Sequence, residues 1–186
     1  MQKQNNTRGF TLIELMVSIS IFSIILSYSA ISMHDLYVKK RLESAAQKIY
    51  TDLRFAQSES IKLNASVFIS FSHHKNEWCY GINLHTPCDC NIAQSCKLVD
   101  REQVVNQSMF RDVSMIKSKF AGNKNYTTFD PRKGFAIGGG VKNGTIWLAS
   151  SKNDLLAIVI SRMGRVRLCS PSFSGYSQQC PKAPIL

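Results

Sequence analysis

The sequence predicts an α+β protein: a long N-terminal helix packed against an antiparallel β-sheet or sandwich head, with a disulfide-pinned C-terminal tail. Three observations carry this prediction. An apolar run opens at Phe10, and Tyr37–Leu63 beyond it holds neither Pro nor Gly while keeping apolar side chains at helical spacing. From Ala65 the spacing changes to alternation, in short runs separated by turn residues. The cysteines, 6 in all, fall between Cys79 and Cys180, within that second part. The boundaries are 1–9 for a short leader, 10–33 for a membrane-spanning half-helix, 34–64 for its soluble continuation and 65–186 for the head.

Composition narrows the class. At 186 residues, 44% hydrophobic and 19% charged, the chain has the length of one ordinary domain and is too apolar for a disordered tail. Lys and Arg number 23 against 12 Asp and Glu, a net charge of +11, and the excess is uneven. Residues 10–100 hold 8 basic and 8 acidic side chains, whereas 101–186 hold 13 basic and 4 acidic. A basic C-terminal half points to an anionic partner, or else to a solvated basic surface.

The leader Met1–Gly9 is polar and carries Lys3 and Arg8. From Phe10 to Met33 the chain is apolar or Ser-rich, with Glu14 its one charge. As a helix this stretch covers about 36 Å at ~1.5 Å per residue, enough for a bilayer. A cleaved secretory signal has a shorter apolar region and a defined small-residue site, which this run lacks. Basic residues ahead of the span keep the N-terminus cytoplasmic and export the rest. Export turns an even cysteine count into disulfides, with pairing left open for Cys79, Cys88, Cys90 and Cys96. Zinc is the weaker alternative, because Cys88-x-Cys90 followed by Cys96 lacks the usual paired spacing. A carboxylate inside an apolar segment is costly and takes a partner, and for Glu14 an N-terminal amine is the candidate.

Within the soluble half-helix, Leu42, Ala46, Ile49, Leu53, Ala56, Ser60 and Leu63 are spaced by fours and threes. They form one stripe that faces a sheet, and Asn64 ends the helix. In the head, Val67, Ile69 and Phe71 alternate with polar residues, and Glu77–Asn83 is the second strand. Thr86–Cys96 is a loop held by disulfides. Further strands are expected at 102–107, 113–118, 126–129, 145–149, 155–161 and 166–169, with turns at Gly138–Gly140 and Asn143-Gly144.

Catalysis finds no support. His73, His74 and His85 lie near one polar loop, but no nucleophile elbow or zinc-protease motif accompanies them. The three glycines are not followed by the Lys of a phosphate loop, and Asp130-Pro131 belongs to a turn. No cofactor motif and no metal site are found.

The sharpest feature is Ile158–Cys169. A β-branched strand leads to a turn at Met163-Gly164 and a return strand in which Arg165 and Arg167 share one face while Val166 and Leu168 face the core. Arg162 lies in the turn, where Gly164 allows a tight bend and exposes backbone for close approach. From Leu155 to the end there are four basic residues, Lys182 included, and no acids. Guanidiniums without carboxylate partners suit phosphate oxygens. Cys169 and Cys180 close the tail by a disulfide, and Phe173 and Tyr176 within it either pack on the head or stack on bases.

Arg8-Gly9-Phe10-Thr11-Leu12-Ile13-Glu14-Leu15 resembles the class III signal of type IV pilins and pseudopilins. The resemblance implies a lollipop-shaped subunit that a prepilin peptidase cuts between Gly9 and Phe10 and methylates on the new amine. It also implies that Glu14 neutralises the N-terminus of a neighbouring pilin during assembly. Together with the late V-I-S-x-x-G-R-V-R-L pair, the chain resembles minor pilins of the FimT/GspH family. Gly164-Arg165-Val166-Arg167 is similar to the G-R-x-R element of the FimT branch, with Arg162 upstream.

That likeness implies a single-pass protein of the inner membrane, head in the periplasm, that later joins an extracellular type IV pilus. There it contacts other pilins and binds DNA phosphates non-specifically, through Arg162, Gly164, Arg165, Arg167 and Lys182, for natural transformation. The alternatives are a GspH-like pseudopilin of a type II secretion system and a purely structural assembly subunit. The segment holding Cys79, Cys88, Cys90 and Cys96 matches no family motif.

Overall fold

The computed structural model describes residues 9–74, 77–120, 122, 124–137, 144–177 and 179–183, with side chains left out at 28–32. It divides into two compact units, Met1–Tyr37 and Val38–Leu186, and one helix, α1 (Leu12–Lys62), contributes to both.

In the first unit α1 begins two residues later than the apolar run. Thr11 Oγ1 accepts the Glu14 N–H at 3.4 Å, and Glu14 Oε2 accepts the Thr11 N–H at 3.5 Å. This is a reciprocal capping box, which satisfies donors that the first turn leaves free. Apolar side chains from Leu12 to Leu26 are exposed on every face. The hydroxyls of Ser18, Ser20, Ser23 and Ser27 donate to the carbonyls four residues back, so they need no water. Among the described residues no helix is long and apolar enough to cross a membrane. The expected span 10–33 includes 28–32, whose side chains lie outside those described.

In the second unit α1 buries the expected stripe. Leu42, Ala46, Ile49, Leu53, Ala56 and Ser60 are closed to solvent, and Leu63 is half-buried. Asn64 ends the helix in the left-handed region (φ 49°). The N–H of Ala65 reaches the Ser60 carbonyl and that of Asn64 the Ile61 carbonyl, a full Schellman cap.

Among the described residues the head has eleven strands: β1 (Val67–His74), β2 (Glu77–Leu84), β3 (Lys97–Leu98), β4 (Arg101–Glu102), β5 (Val104–Asn106), β6 (Val113–Lys119), β7 (Tyr126–Phe129), β8 (Ala136–Ile137), β9 (Gly144–Ser150), β10 (Leu155–Ile160) and β11 (Val166–Cys169). They form an antiparallel five-stranded sheet, β5-β2-β1-β7-β8, a four-stranded sheet, β11-β10-β9-β6, and a β3-β4 ribbon. Cross-strand pairs such as Ile69–Ile82 and Phe71–Tyr80 from the first sheet share one core with Ile146, Leu148, Ile158 and Val166 of the second and with the helix stripe. Inside it the Tyr80 hydroxyl donates to Asp52 Oδ2 at 2.8 Å, and Lys48 reaches both carboxylate oxygens.

Three details differ from expectation. The single strand at 102–107 is split into β4 and β5, because the Gln103 N–H turns to the Cys96 carbonyl while its own carbonyl serves Ile82. Gln107 then leaves the strand for a 3₁₀ turn, Gln107–Met109. The short β3 and β8 had no sequence signal of their own. The expected turns at 138–140 and Asn143 lie outside the described residues.

All six cysteines are paired: Cys79–Cys90, Cys88–Cys96 and Cys169–Cys180. Cys79–Cys90 ties the Thr86–Cys96 loop to β2, and Cys88–Cys96 closes that loop on itself over Gly81. At that point Gly81 leaves room, since a Cβ there would lie 2.2 Å from Cys96 Sγ.

Candidate functional site

The β10–β11 hairpin carries the arginine cluster. Its register is Ile160–Val166, Val159–Arg167, Ile158–Leu168 and Ala157–Cys169. Val166 and Leu168 therefore point into the core shared with α1, and Arg167 lies on the opposite face beside Val159. The turn closes through Ser161, whose N–H donates to the Arg165 carbonyl at 2.9 Å and whose Oγ accepts the Arg165 N–H at 3.1 Å. Arg162 and Arg165 are exposed and Arg167 half-buried. None of the three takes part in an ion pair among the described residues.

Gly164 differs from expectation. Its φ is +76°, as a tight turn requires, but it is buried rather than open to a ligand. A Cβ on it would stand 2.2 Å from the Gly134 carbonyl oxygen and 2.4 Å from Gln57 Nε2. Lys182 is exposed, two residues past Cys180 and hence tied to the far end of β11. That end is about 13 Å from Arg165 along the strand at ~3.3 Å per residue.

Two cations that the sequence reading passed over join the same sheet face. The register runs Lys119–Thr145–Val159–Arg167 across all four strands, followed by Lys117–Trp147–Ala157–Cys169. Lys117 and Lys119 are exposed, and their alternation in Ile116-Lys117-Ser118-Lys119 was the available signal. The tail aromatics pack instead of presenting rings. Phe173 is buried against Tyr176, and Lys39 sits 5.9 Å over the Phe173 ring. Burial, then the nearby Glu43, pushes the Tyr176 hydroxyl above its ordinary pKa.

Elsewhere, a cleft of about 650 Å³ lies beside the Cys79–Cys90 disulfide, lined in part by His74, Glu77 and Arg111. His73 and His74 end β1, exposed, and His85 sits in a turn. Among the described residues no group of three His, Cys, Asp or Glu is placed to hold a metal ion.

In the first unit α1 is capped and apolar on its surface, and in the second it packs into the core of a disulfide-laced β head. The model of the prokaryotic N-terminal methylation motif matches residues 4–29, which gives the chain a prepilin-type N-terminal anchor. The model of the type II transport protein GspH matches residues 45–164. The chain belongs to this family, and is a minor pilin or pseudopilin of the GspH/FimT kind. Members work among other pilins in a pilus or pseudopilus.

Among solved structures, the minor pseudopilin EpsH of the Vibrio cholerae type 2 secretion system is similar with a TM-score of 0.50 at 9% identity, covering 72% of this chain and 99% of that one. The Pseudomonas aeruginosa type IV minor pilin FimU gives 0.49 at 18% identity, covering 75% and 96%. A search of curated proteins returns no match.

Proposed function

We propose that this protein is a FimT-like minor pilin that binds DNA non-specifically through the phosphate backbone and serves DNA uptake in natural transformation. The observation that carries the reading is the hairpin. It presents Arg162, Arg165 and Arg167 from a rigid, core-anchored strand pair with no ion-pair partner among the described residues. Gly164 acts by shaping the turn, and Lys182 adds an exposed cation on the tail. Sequence-specific readout is not part of the proposal, since no helix is presented for a groove.

Processing between Gly9 and Phe10 by a prepilin peptidase precedes assembly, and Glu14 then meets the amine of a neighbouring pilin. Residues 10–33 hold the subunit in the inner membrane with its head in the periplasm until it enters the extracellular filament. The all-round apolar surface of Leu12–Leu26 and its internally satisfied serines support this part. The role is one of binding and assembly, not catalysis.

The test is titration of the detergent-solubilised chain with random duplex DNA at several salt concentrations. Three or four neutralised phosphates give a log–log salt slope of about −3 to −4 at ~0.9 each. Arg165→Gln plus Arg167→Gln is expected to reduce that slope by about 2 while circular dichroism stays unchanged. A second reading, a GspH-like pseudopilin of a type II secretion system, is favoured by the family match over 45–164. Absence of binding even at low salt decides for that reading or for a purely structural subunit.

A further inference from the structure

A second cationic turn sits against the arginine hairpin. Asp130–Gly134 is closed by the Gly134 N–H on the Asp130 carbonyl at 2.9 Å, and Asp130 Oδ1 accepts the N–H groups of Arg132 and Lys133 at 2.8 and 3.0 Å. Gly134, at φ +61°, meets Gly164 of the hairpin, and the 2.2 Å from its carbonyl oxygen to a Cβ built on Gly164 means that the two turns touch backbone to backbone. Gln57 of α1 locks the junction. Its Nε2 donates to the Gly134 carbonyl at 2.7 Å, and its Oε1 accepts from Arg54 Nη1 at 2.9 Å.

The consequence is a convergence of charge from three segments distant in sequence. Arg132 and Lys133 lie within two residues of Gly134, Arg162 and Arg165 within two of Gly164, and all four are exposed. Arg54 stands behind the junction. The acid within this turn is Asp130, and Glu59 follows Gln57 by two residues on α1. Asp130 has one carboxylate oxygen committed to its own turn, and Glu59 is paired with Lys62. At 3.80 Å between successive Cα atoms, the four cations spring from a patch of roughly 15 Å.

We infer that the turns at Arg132-Lys133 and Arg162–Arg165 form one anion site, docked through Gly134 and Gly164, and that its ligand is the phosphate backbone of duplex DNA. This rests on the DNA-binding reading and deepens it. The duplex is chosen over a single strand because single-strand sites combine cations with open aromatic faces. Here Phe173 and Tyr176 are packed in the tail, which leaves near the site the single ring of Phe135, 36% exposed with the Lys133 ammonium 5.8 Å from its centroid, and no row of open faces among the described residues. Gly164 is a positioning residue, since any side chain at that point separates the turns.

The test uses the full chain in mild detergent and fluorescence anisotropy with a 30-bp random duplex and the matching single strand, from about 50 to 200 mM salt. Arg132→Gln plus Lys133→Gln is expected to lower the salt slope by about 1.8, so that the affinity ratio across this range shrinks about tenfold. Lys97→Gln plus Arg101→Gln, on the exposed β3-β4 ribbon, serves as the control and is expected to leave the slope unchanged. Independently of any variant, bound duplex is expected to shield Lys133 from acetic anhydride and to leave Lys97 reactive, read by mass spectrometry.

If Arg165→Gln plus Arg167→Gln lowers the slope of the native chain, yet Arg132→Gln plus Lys133→Gln leaves it unchanged and bound duplex leaves Lys133 reactive, the composite site is refuted and the simpler reading stands. Tighter binding to the single strand refutes the choice of duplex. No binding to either probe refutes the DNA reading itself, and this inference with it.

Discussion

The Cys169–Cys180 disulfide is expected to work as a lid fastener for the outer face of the four-stranded sheet. Cys169 is fully buried among Trp147, Ala157 and Val159, and Cys180 packs on the same cluster. Without the bond the tail is held there by the Ser170 N–H on the Ser177 carbonyl and by Phe173 in the main core. Replacing both cysteines by Ala frees a loop whose ends are 11 residues apart, worth about 3 kcal/mol in the chain-entropy model. For a head of this size that loss corresponds to a fall of about 6–12 °C in thermal midpoint, the other two disulfides being intact.

The assay is thermal unfolding followed by intrinsic fluorescence. Trp147 is 3% exposed in a cluster on which Cys180 of the tail packs, so its emission is expected to shift to the red in the variant already below the transition. Trp78 reports separately, because its Nε1 donates to the Val113 carbonyl within the main core, and a Trp147→Phe background assigns the shift. A midpoint within about 2 °C of the native chain together with unshifted emission would refute the reasoning.

Two further predictions concern the core and the other disulfides. Tyr80→Phe removes a hydrogen bond to the buried Asp52 carboxylate and is expected to cost about 1–3 kcal/mol, measured by chemical denaturation. Burial, and next the Asp52 charge, push the Tyr80 hydroxyl far above its ordinary pKa. The folded state keeps this proton while the unfolded chain releases it near pH 10, so the contribution is complete below about pH 10 and is lost as pH rises beyond it. Ultraviolet titration is therefore expected to show one phenol that ionises only on alkaline unfolding. Gly81→Ala places a methyl group 2.2 Å from Cys96 Sγ, and is expected to destabilise by about 1–3 kcal/mol and to lower the yield of Cys88–Cys96 in disulfide mapping.

Much of the fold was legible because it depends on local pattern. The fours and threes of Leu42 to Ser60 became the buried stripe of α1, Asn64 became its left-handed cap, and the alternation at 67–71 and 166–169 became β1 and β11 with the expected inner faces. The arginine hairpin was legible for the same reason, since one strand's alternation decides which side chains share a face. The strand break at Gln103 was not, because it follows from hydrogen bonds to Cys96 and Ile82, neither of them a neighbour in sequence. Gly164 was read correctly as a turn glycine, but its burial depends on Gly134, thirty residues away.

The sequence by itself determined the class of protein: the N-terminal methylation motif over 4–29, the long helix, the β head and an arginine-rich return strand without acids. Each of these is written in a window shorter than one element, where periodicity and residue chemistry suffice. Only the tertiary structure decided which cysteines among Cys79, Cys88, Cys90 and Cys96 pair and that Lys119 stands in line with Arg167. It also brought Gly134, which follows Arg132 and Lys133 in the chain, against Gly164 of the hairpin. These are matters of register and docking between distant segments, which are set by how whole sheets bury their apolar faces against α1 and leave no trace in any single stretch of sequence.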